Sequence, residues 1–401
     1  MRKIKLMLLS AALVALALLT AGCDDGTEDV TDGPQLAAAM RKLQSKGTVS
    51  IVALGGSITT GNAATPLDTN SWAGLVKAWW DAKATETGGK AVFHNSGCGG
   101  TDSAFASIRV QDHVLAYKPD VVFVEFAVND QWLDRLVRKR TYEGVLRQIM
   151  AGSDSAIVLL ALNQKGNANA GQRQEQEPIG NYYGIPTLAW ADWAITDTST
   201  WSDYFTGSEE IHPNNAGHAN IAQGITAYLD DVWNGTVSGS KSSLKTPLYP
   251  DEFQHVRLIG SNDTEAVADN SGWAATTALL PDEWVRRGGS ALKGWRTNAI
   301  DGHLQIKVQG KSVGILFTES DQFRNGKAWL EKPDHTKTSD VTLNTYVDYR
   351  NGYYGYAYAE ISSALDPKLE YILHVTVEES GTSTTNGYTN VIGVICTGVQ
   401  E

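Results

Sequence analysis

The chain has 401 residues, a formal net charge of -12 and three cysteines. That length suits two domains, each able to bury its own core, and the acidic balance argues against nucleic acid or an anionic lipid as the main partner. The cysteines show no zinc-type spacing. Cys98 and Cys396 lie too far apart in sequence to give a disulfide framework, so whether they pair stays open.

In chain order, Arg2, Lys3 and Lys5 precede a largely apolar stretch from Leu6 to Leu19, then small residues and Cys23. The apolar core is too short to span a bilayer and acidic residues follow at once, which reads as a secretory signal. Leu19-Thr20-Ala21-Gly22-Cys23 resembles a bacterial lipoprotein signal, with Thr20 where an aliphatic residue is usual. The resemblance implies lipidation of Cys23 and an exported chain anchored to a membrane on its periplasmic or extracellular side, without a spanning segment. Plain secretion with an incidental cysteine is the alternative. Residues 24–35 are acidic and polar, as in a flexible tether.

From residue 36 to 235 helical and strand patterns alternate. Leu36–Leu43, Trp72–Trp80, Ser103–Tyr117, Tyr142–Met150, Gln172–Tyr183 and Asn215–Trp233 have helical spacing. Thr48–Leu54, Ala91–Phe93, Asp120–Phe126, Ala156–Leu162 and Ile185–Ala189 read as strands, which predicts a parallel sheet covered on both faces. Ligands of such sheets sit beyond the carboxyl ends of the strands.

Chemistry-bearing residues fall at those ends. Ile51-Val52-Ala53-Leu54 stops at Gly55-Gly56 and delivers Ser57. His94-Asn95-Ser96-Gly97-Cys98-Gly99-Gly100-Thr101-Asp102 is a glycine-rich loop opening a helix, whose N–H groups suit a developing negative charge. Asn129-Asp130 follows the third strand, and an asparagine there can donate its amide to the same charge. Glu209-Glu210-Ile211-His212-Pro213 precedes the last helix. Taken singly, each is also an ordinary turn or cap; their order, each after a strand, is what carries meaning.

Together these blocks resemble the SGNH, or GDSL, hydrolases over roughly Val49–Trp233. The resemblance implies a flavodoxin-like three-layer α/β fold and cleavage of carboxylic esters without metal or organic cofactor. It also implies Ser57 as nucleophile, His212 as general base, Glu209 as its orienting acid, and an oxyanion hole from Ser57, Gly100 and Asn129. Three departures stand out: Gly56 for the usual aspartate, Ala127 for a common glycine, and Glu209 for the usual aspartate, with Glu210 as a rival of poorer spacing. Glutamate serves in hydrolase triads elsewhere.

Trp190, Trp193, Trp201, Tyr204 and Phe205 shortly precede His212 and offer either a platform for sugar rings, an acyl pocket, or plain core. Asn163 and Gln164 follow an apolar strand at the same edge. Residues 236–250 read as a Ser-, Gly- and Lys-bearing linker. Over 251–401 short alternating strands at 303–308, 312–318, 342–347, 353–361, 371–377 and 391–397 indicate a β-sandwich, and the pattern around Gly310–Phe317 is similar to jelly-roll modules that accompany carbohydrate esterases. Trp273, Trp284, Trp295, Tyr353, Tyr354 and Tyr356 are candidates for sugar stacking or core. The expectation is an O-acetyl esterase acting on a polysaccharide; a broad short-chain esterase or thioesterase and an inactive carbohydrate-binding surface protein are the alternatives.

Overall fold

The computed structural model describes residues 35–166, 171–196, 199–237, 242–277, 293–347, 355–378 and 387–399. Cys23, Trp284, Tyr353 and Tyr354 lie outside them. Five strands, β1 (Thr48–Gly55), β2 (Lys90–Gly97), β3 (Val121–Glu125), β4 (Ala156–Ala161) and β5 (Thr187–Ala189), form one parallel sheet in the order β2-β1-β3-β4-β5. The helices of this half are α1 (Gln35–Gln44), α2 (Ser57–Thr60), α3 (Leu67–Asn70), α4 (Trp72–Thr87), α5 (Ser103–Ser107), α6 (Val110–His113), α7 (Arg135–Gly152), α8 (Gly171–Tyr183), α9 (Ala191–Ala194) and α10 (Asn215–Trp233).

Strands β3 and β4 are buried at every position because helices cover both faces. One face packs α1, α4 and α10 through Leu43, Trp80 and Ile225, and the other packs α7 and α8 through Leu146, Ile149 and Ile179. This three-layer arrangement, with its reversal of strand order between β1 and β3, is the flavodoxin-like fold that the sequence predicts. A crevice is expected outside that reversal point.

The helix predicted over 103–117 is instead α5, α6 and a 3₁₀ turn at Leu115–Tyr117. The break has a visible cause. Arg109 turns inward, fully buried, and its guanidinium donates to the carbonyls of Ser96 at 2.6 Å and Gly55 at 2.9 Å. The Gln148 amide meanwhile donates to the Ser107 carbonyl at 2.9 Å.

The remaining strands run β6 (Val256–Ile259), β7 (Val267–Asp269), β8 (Ala274–Thr276), β9 (Gly294–Thr297), β10 (His303–Val308), β11 (Ser312–Glu319), β12 (Gly326–Glu331), β13 (Val341–Leu343), β14 (Gly355–Ser362), β15 (Tyr371–Val377) and β16 (Thr389–Thr397). They make two antiparallel sheets, β13-β12-β15-β10-β7 and β14-β11-β16-β9-β8, with β6 pairing to β16. Trp273 and Trp295 are buried in the core between them, which removes both as sugar platforms. Cys98 and Cys396 are buried and form no disulfide, and burial pushes the Cys396 thiol up to about 11.

The sandwich is fastened to the α/β half. Phe253 fills a notch on α7 at Gly144, where a Cβ would meet the Phe253 Cβ at 2.4 Å. Buried Arg140 on α7 donates to Glu252 at 3.1 Å and to Glu360 of β14 at 2.7 Å. The stretch predicted as a linker is tied down beyond residue 242. Glu143 accepts the N–H groups of Leu248 and Tyr249 at 2.7 and 2.9 Å, and Arg147 donates to the Lys245 carbonyl at 2.6 Å.

Candidate active site

Gly55 at the end of β1 lies level with Gly97 on β2 and Glu125 on β3. The three loops that leave the sheet there therefore start side by side. Gly56 makes the turn and Ser57 opens α2, its side chain almost enclosed at 6 % exposure. The glycine-rich loop passes next to it: a Cβ on Gly99 would stand 3.9 Å from the Ser57 Cβ. Gly100 has φ +71°, a left-handed conformation that glycine adopts without strain. From β3 the chain runs to a 3₁₀ turn, Asn129–Trp132, and the Asn129 side chain lies against Gly56, where a Cβ would fall 2.5 Å from Oδ1. Ser57 thus has the Gly99–Gly100 loop beside it and the Asn129 side chain against the residue before it.

The fourth loop completes the group. His212 Nε2 is 2.9 Å from Ser57 Oγ, and Glu209 Oε2 is 3.5 Å from His212 Nδ1. That last distance is an ion-pair contact, longer than a normal hydrogen bond. The other Glu209 oxygen accepts the N–H groups of Ile211 at 2.8 Å and His212 at 3.1 Å, which fixes the carboxylate. Burial pushes the Glu209 carboxyl up, but those two N–H bonds and the imidazole outweigh it and hold the group below the usual carboxylate range. Glu210 does not compete: it is exposed, and its carbonyl accepts the Lys165 N–H at 2.7 Å. The Lys165 ammonium also holds the Gly207 carbonyl, and Asn214 caps α10 through the Gly217 N–H, so the histidine loop is anchored at both ends.

The supports beneath these loops were not foreseen. Asp130, beside Asn129 in sequence, is fully buried and accepts the Ser103 N–H and the Gln176 amide, both at 2.8 Å. It therefore ties the asparagine turn to the helix that follows the Gly100 loop. Glu125 accepts the Thr59 hydroxyl at 3.0 Å, and burial pushes its carboxyl up to about 7. Tyr356, carried by β14, packs its ring 3.5 Å from where a Gly100 Cβ would be, so the sandwich walls one side of the oxyanion loop.

Substrate-contact expectations need correction. Trp190 is fully buried, donates to Asn220 at 2.8 Å and meets Trp201 edge to face, because the loop before His212 folds down onto α10. Trp193 donates to the Asn220 carbonyl at 2.9 Å and packs on α10 at Gly224. Tyr204 and Phe205 belong to the core cluster that holds Trp190, and the partly buried Trp193 and Trp201 pack against it. Asn163 is only 2 % exposed, whereas Gln164 reaches an open cleft of about 600 Å³ lined also by Gln131, Trp132, Glu209 and Ile211. Trp132 is 76 % exposed there. Its signal was available: a tryptophan three residues past Asn129, in a polar turn at the catalytic edge. Ala127, in place of a common glycine, packs with Ala161 and Ala189 at the ends of β4 and β5.

No curated protein matches the chain. In fold it is similar to a two-domain esterase (CEX) active on acetylated mannans, with a TM-score of 0.77 and 21% identity over 92% of this chain and 97% of that one. The same esterase co-crystallized with mannopentaose gives a TM-score of 0.76 and 21% identity over 93% and 99% of the two chains. Residues 53–219, which hold all of the converging loops, match the GDSL-like Lipase/Acylhydrolase family. Within the α/β half of this chain, the stretch that carries Ser57, Gly100, Asn129 and His212 thus has the sequence pattern of GDSL-like lipases and acylhydrolases.

Proposed function

We propose that the chain is a serine esterase that removes O-acetyl groups from a polysaccharide. One observation carries the reading: His212 Nε2 stands 2.9 Å from Ser57 Oγ with Glu209 on the opposite nitrogen. With Nδ1–H directed at the Glu209 carboxylate, Nε2 is free to accept the serine proton. As it does so, Oγ bonds to the ester carbon, and the charge that appears on the carbonyl oxygen meets the N–H groups of Ser57 and Gly100 and the Asn129 amide. His212 then gives the proton to the departing sugar oxygen as its bond to carbon breaks. Water, deprotonated by His212, attacks the acyl-serine and releases acetate while Ser57 regains its proton.

The substrate class rests on likeness in fold across both halves to the esterase active on acetylated mannans. Broad short-chain esterase activity is the weaker reading, because the cleft beside Glu209 is open and mixes polar side chains with Trp132 and Ile211 rather than forming an apolar acyl tunnel. An inactive binding protein is disfavoured by the Ser57–His212 contact and by the small neighbours that accept Ala127. We also keep the proposal that Cys23 is lipidated and anchors an exported chain; among the described residues no helix is long and apolar enough to cross a membrane. Loss of metabolic labelling by palmitate in Cys23→Ser tests that proposal.

Acetate release from acetylated mannan and hydrolysis of 4-nitrophenyl acetate, each abolished in Ser57→Ala, test the catalytic reading. A wild-type chain inert on both overturns it.

A further inference from the structure

Trp132 is the most exposed large apolar side chain among the described residues, at 76 %, while Trp72, Trp80, Trp190 and Trp295 are fully buried. An indole left in water forgoes the burial that drives aromatic residues inward, so an exposed one beside a reactive group points to a ligand face. Its backbone is held on both sides. The Asp130 N–H donates to the Phe126 carbonyl at 2.9 Å, the Leu133 N–H donates to the Asp130 carbonyl at 3.2 Å, and Leu133 itself is buried. The backbone beneath the indole is thus fixed before any ligand arrives, which lowers the ordering cost of binding.

The same 3₁₀ turn carries Asn129 at its start and Trp132 at its end. At about 2 Å of rise per residue, the two positions are roughly 6 Å apart along the turn, close to the length of one pyranose ring. Next to the indole, Gln131 and Gln164 face each other through their amides at 3.3 and 3.5 Å. A reciprocal amide pair leaves each side chain one N–H and one lone pair for outside partners, a match for neighbouring sugar hydroxyls. The lining residues include the two carboxylates Glu209 and Glu210, against the single Lys165 ammonium on the neighbouring Gly207 carbonyl, so the cleft disfavours carboxylates.

The geometry points to a neutral-sugar subsite formed by Trp132 and the Gln131–Gln164 pair, holding the ring next to the acetylated one and excluding uronate chains. It rests on the esterase reading for its neighbour, but its own tests are separable. The quantity to follow is the ratio of kcat/KM on acetylated manno-oligosaccharide to kcat/KM on 4-nitrophenyl acetate, which has no adjoining sugar. Trp132→Ala should lower that ratio by tenfold or more, and Trp132→Phe should recover part of it. An unchanged ratio overturns the subsite while leaving the esterase reading intact. In the Ser57→Ala protein, calorimetry with deacetylated mannopentaose should detect binding that Trp132→Ala weakens by tenfold or more. That result would uphold the subsite even if the wild type hydrolysed no ester. Wild-type chain should also release acetate from acetylated polygalacturonate at least tenfold more slowly than from acetylated mannan; the opposite order overturns the exclusion of uronates.

Discussion

Gly56 stands where relatives of this fold usually carry aspartate, and the structure predicts that filling the position is harmful. A Cβ there would come 2.5 Å from Asn129 Oδ1, 3.1 Å from its Cγ and 3.3 Å from the Thr101 carbonyl. To restore ordinary van der Waals contact the amide must draw back by roughly 1 Å. An oxyanion bond of about 2.9 Å then stretches beyond useful length. Losing one such donor typically costs about 2.7–4 kcal/mol of barrier, or about 10²–10³ in kcat. Gly56→Ala should show that fall on 4-nitrophenyl acetate with a cooperative melt retained. The decisive measurement is the double-mutant cycle with Asn129→Ala. If the glycine acts by leaving room for the amide, the double variant is no slower than Asn129→Ala alone. Additive losses would refute the argument.

Two further predictions concern the supports. Arg140→Met leaves Glu252 and Glu360 facing a buried methionine, and breaking a buried pair from one side typically costs about 3–5 kcal/mol; urea unfolding should register that loss, and a change under 1 kcal/mol would mean the interface charges are already hydrated. Glu125 has its carboxyl raised from 4.5 to about 7 by burial, so the stability of its neutral form is complete below about pH 4.5 and is lost as pH rises through about 7. Glu125→Gln is neutral throughout, so its Tm should gain on wild type between about pH 4.5 and pH 7 and hold that gain above; a constant gap would show Glu125 ionised in the folded chain.

The parts legible in the sequence share one property: the signal and the structure have the same range. α10 begins and ends where predicted because Asn214 caps it through the Gly217 N–H and its apolar stripe runs unbroken to Trp233. β10 alternates strictly and pairs with β15 along its whole length. β12 escaped notice for the opposite reason. Its inward positions are Gly326, Ala328 and Leu330, while Lys327, Trp329 and Glu331 face outward, so the bulkiest apolar residue sits on the wrong side for a hydrophobicity pattern. The long helix over 103–117 failed because its apolar spacing is local, whereas what breaks it, the buried Arg109 guanidinium on the Gly55 and Ser96 carbonyls, is a contact across the sheet edge.

The site divides along the same line. Ser57, Gly100 and Asn129 could be placed from sequence since each follows a strand and a parallel sheet brings its strand ends to one edge, whereas His212 was marked by its place just before α10. Which neighbours face the substrate could not, because that depends on how each loop folds after leaving the edge. Nearness to His212 in sequence suggested the aromatic run at 190–205, yet that run turns back onto α10 and is spent on packing. Trp132 ends the turn that Asp130 pins to the neighbouring loop, and its indole stays exposed in the cleft. One buried carboxylate thus anchors the turn that carries both Asn129 and Trp132. A loss at Asp130 should therefore move oxyanion stabilisation and sugar selectivity together, whereas a loss at Trp132 moves selectivity and leaves the oxyanion donors in register.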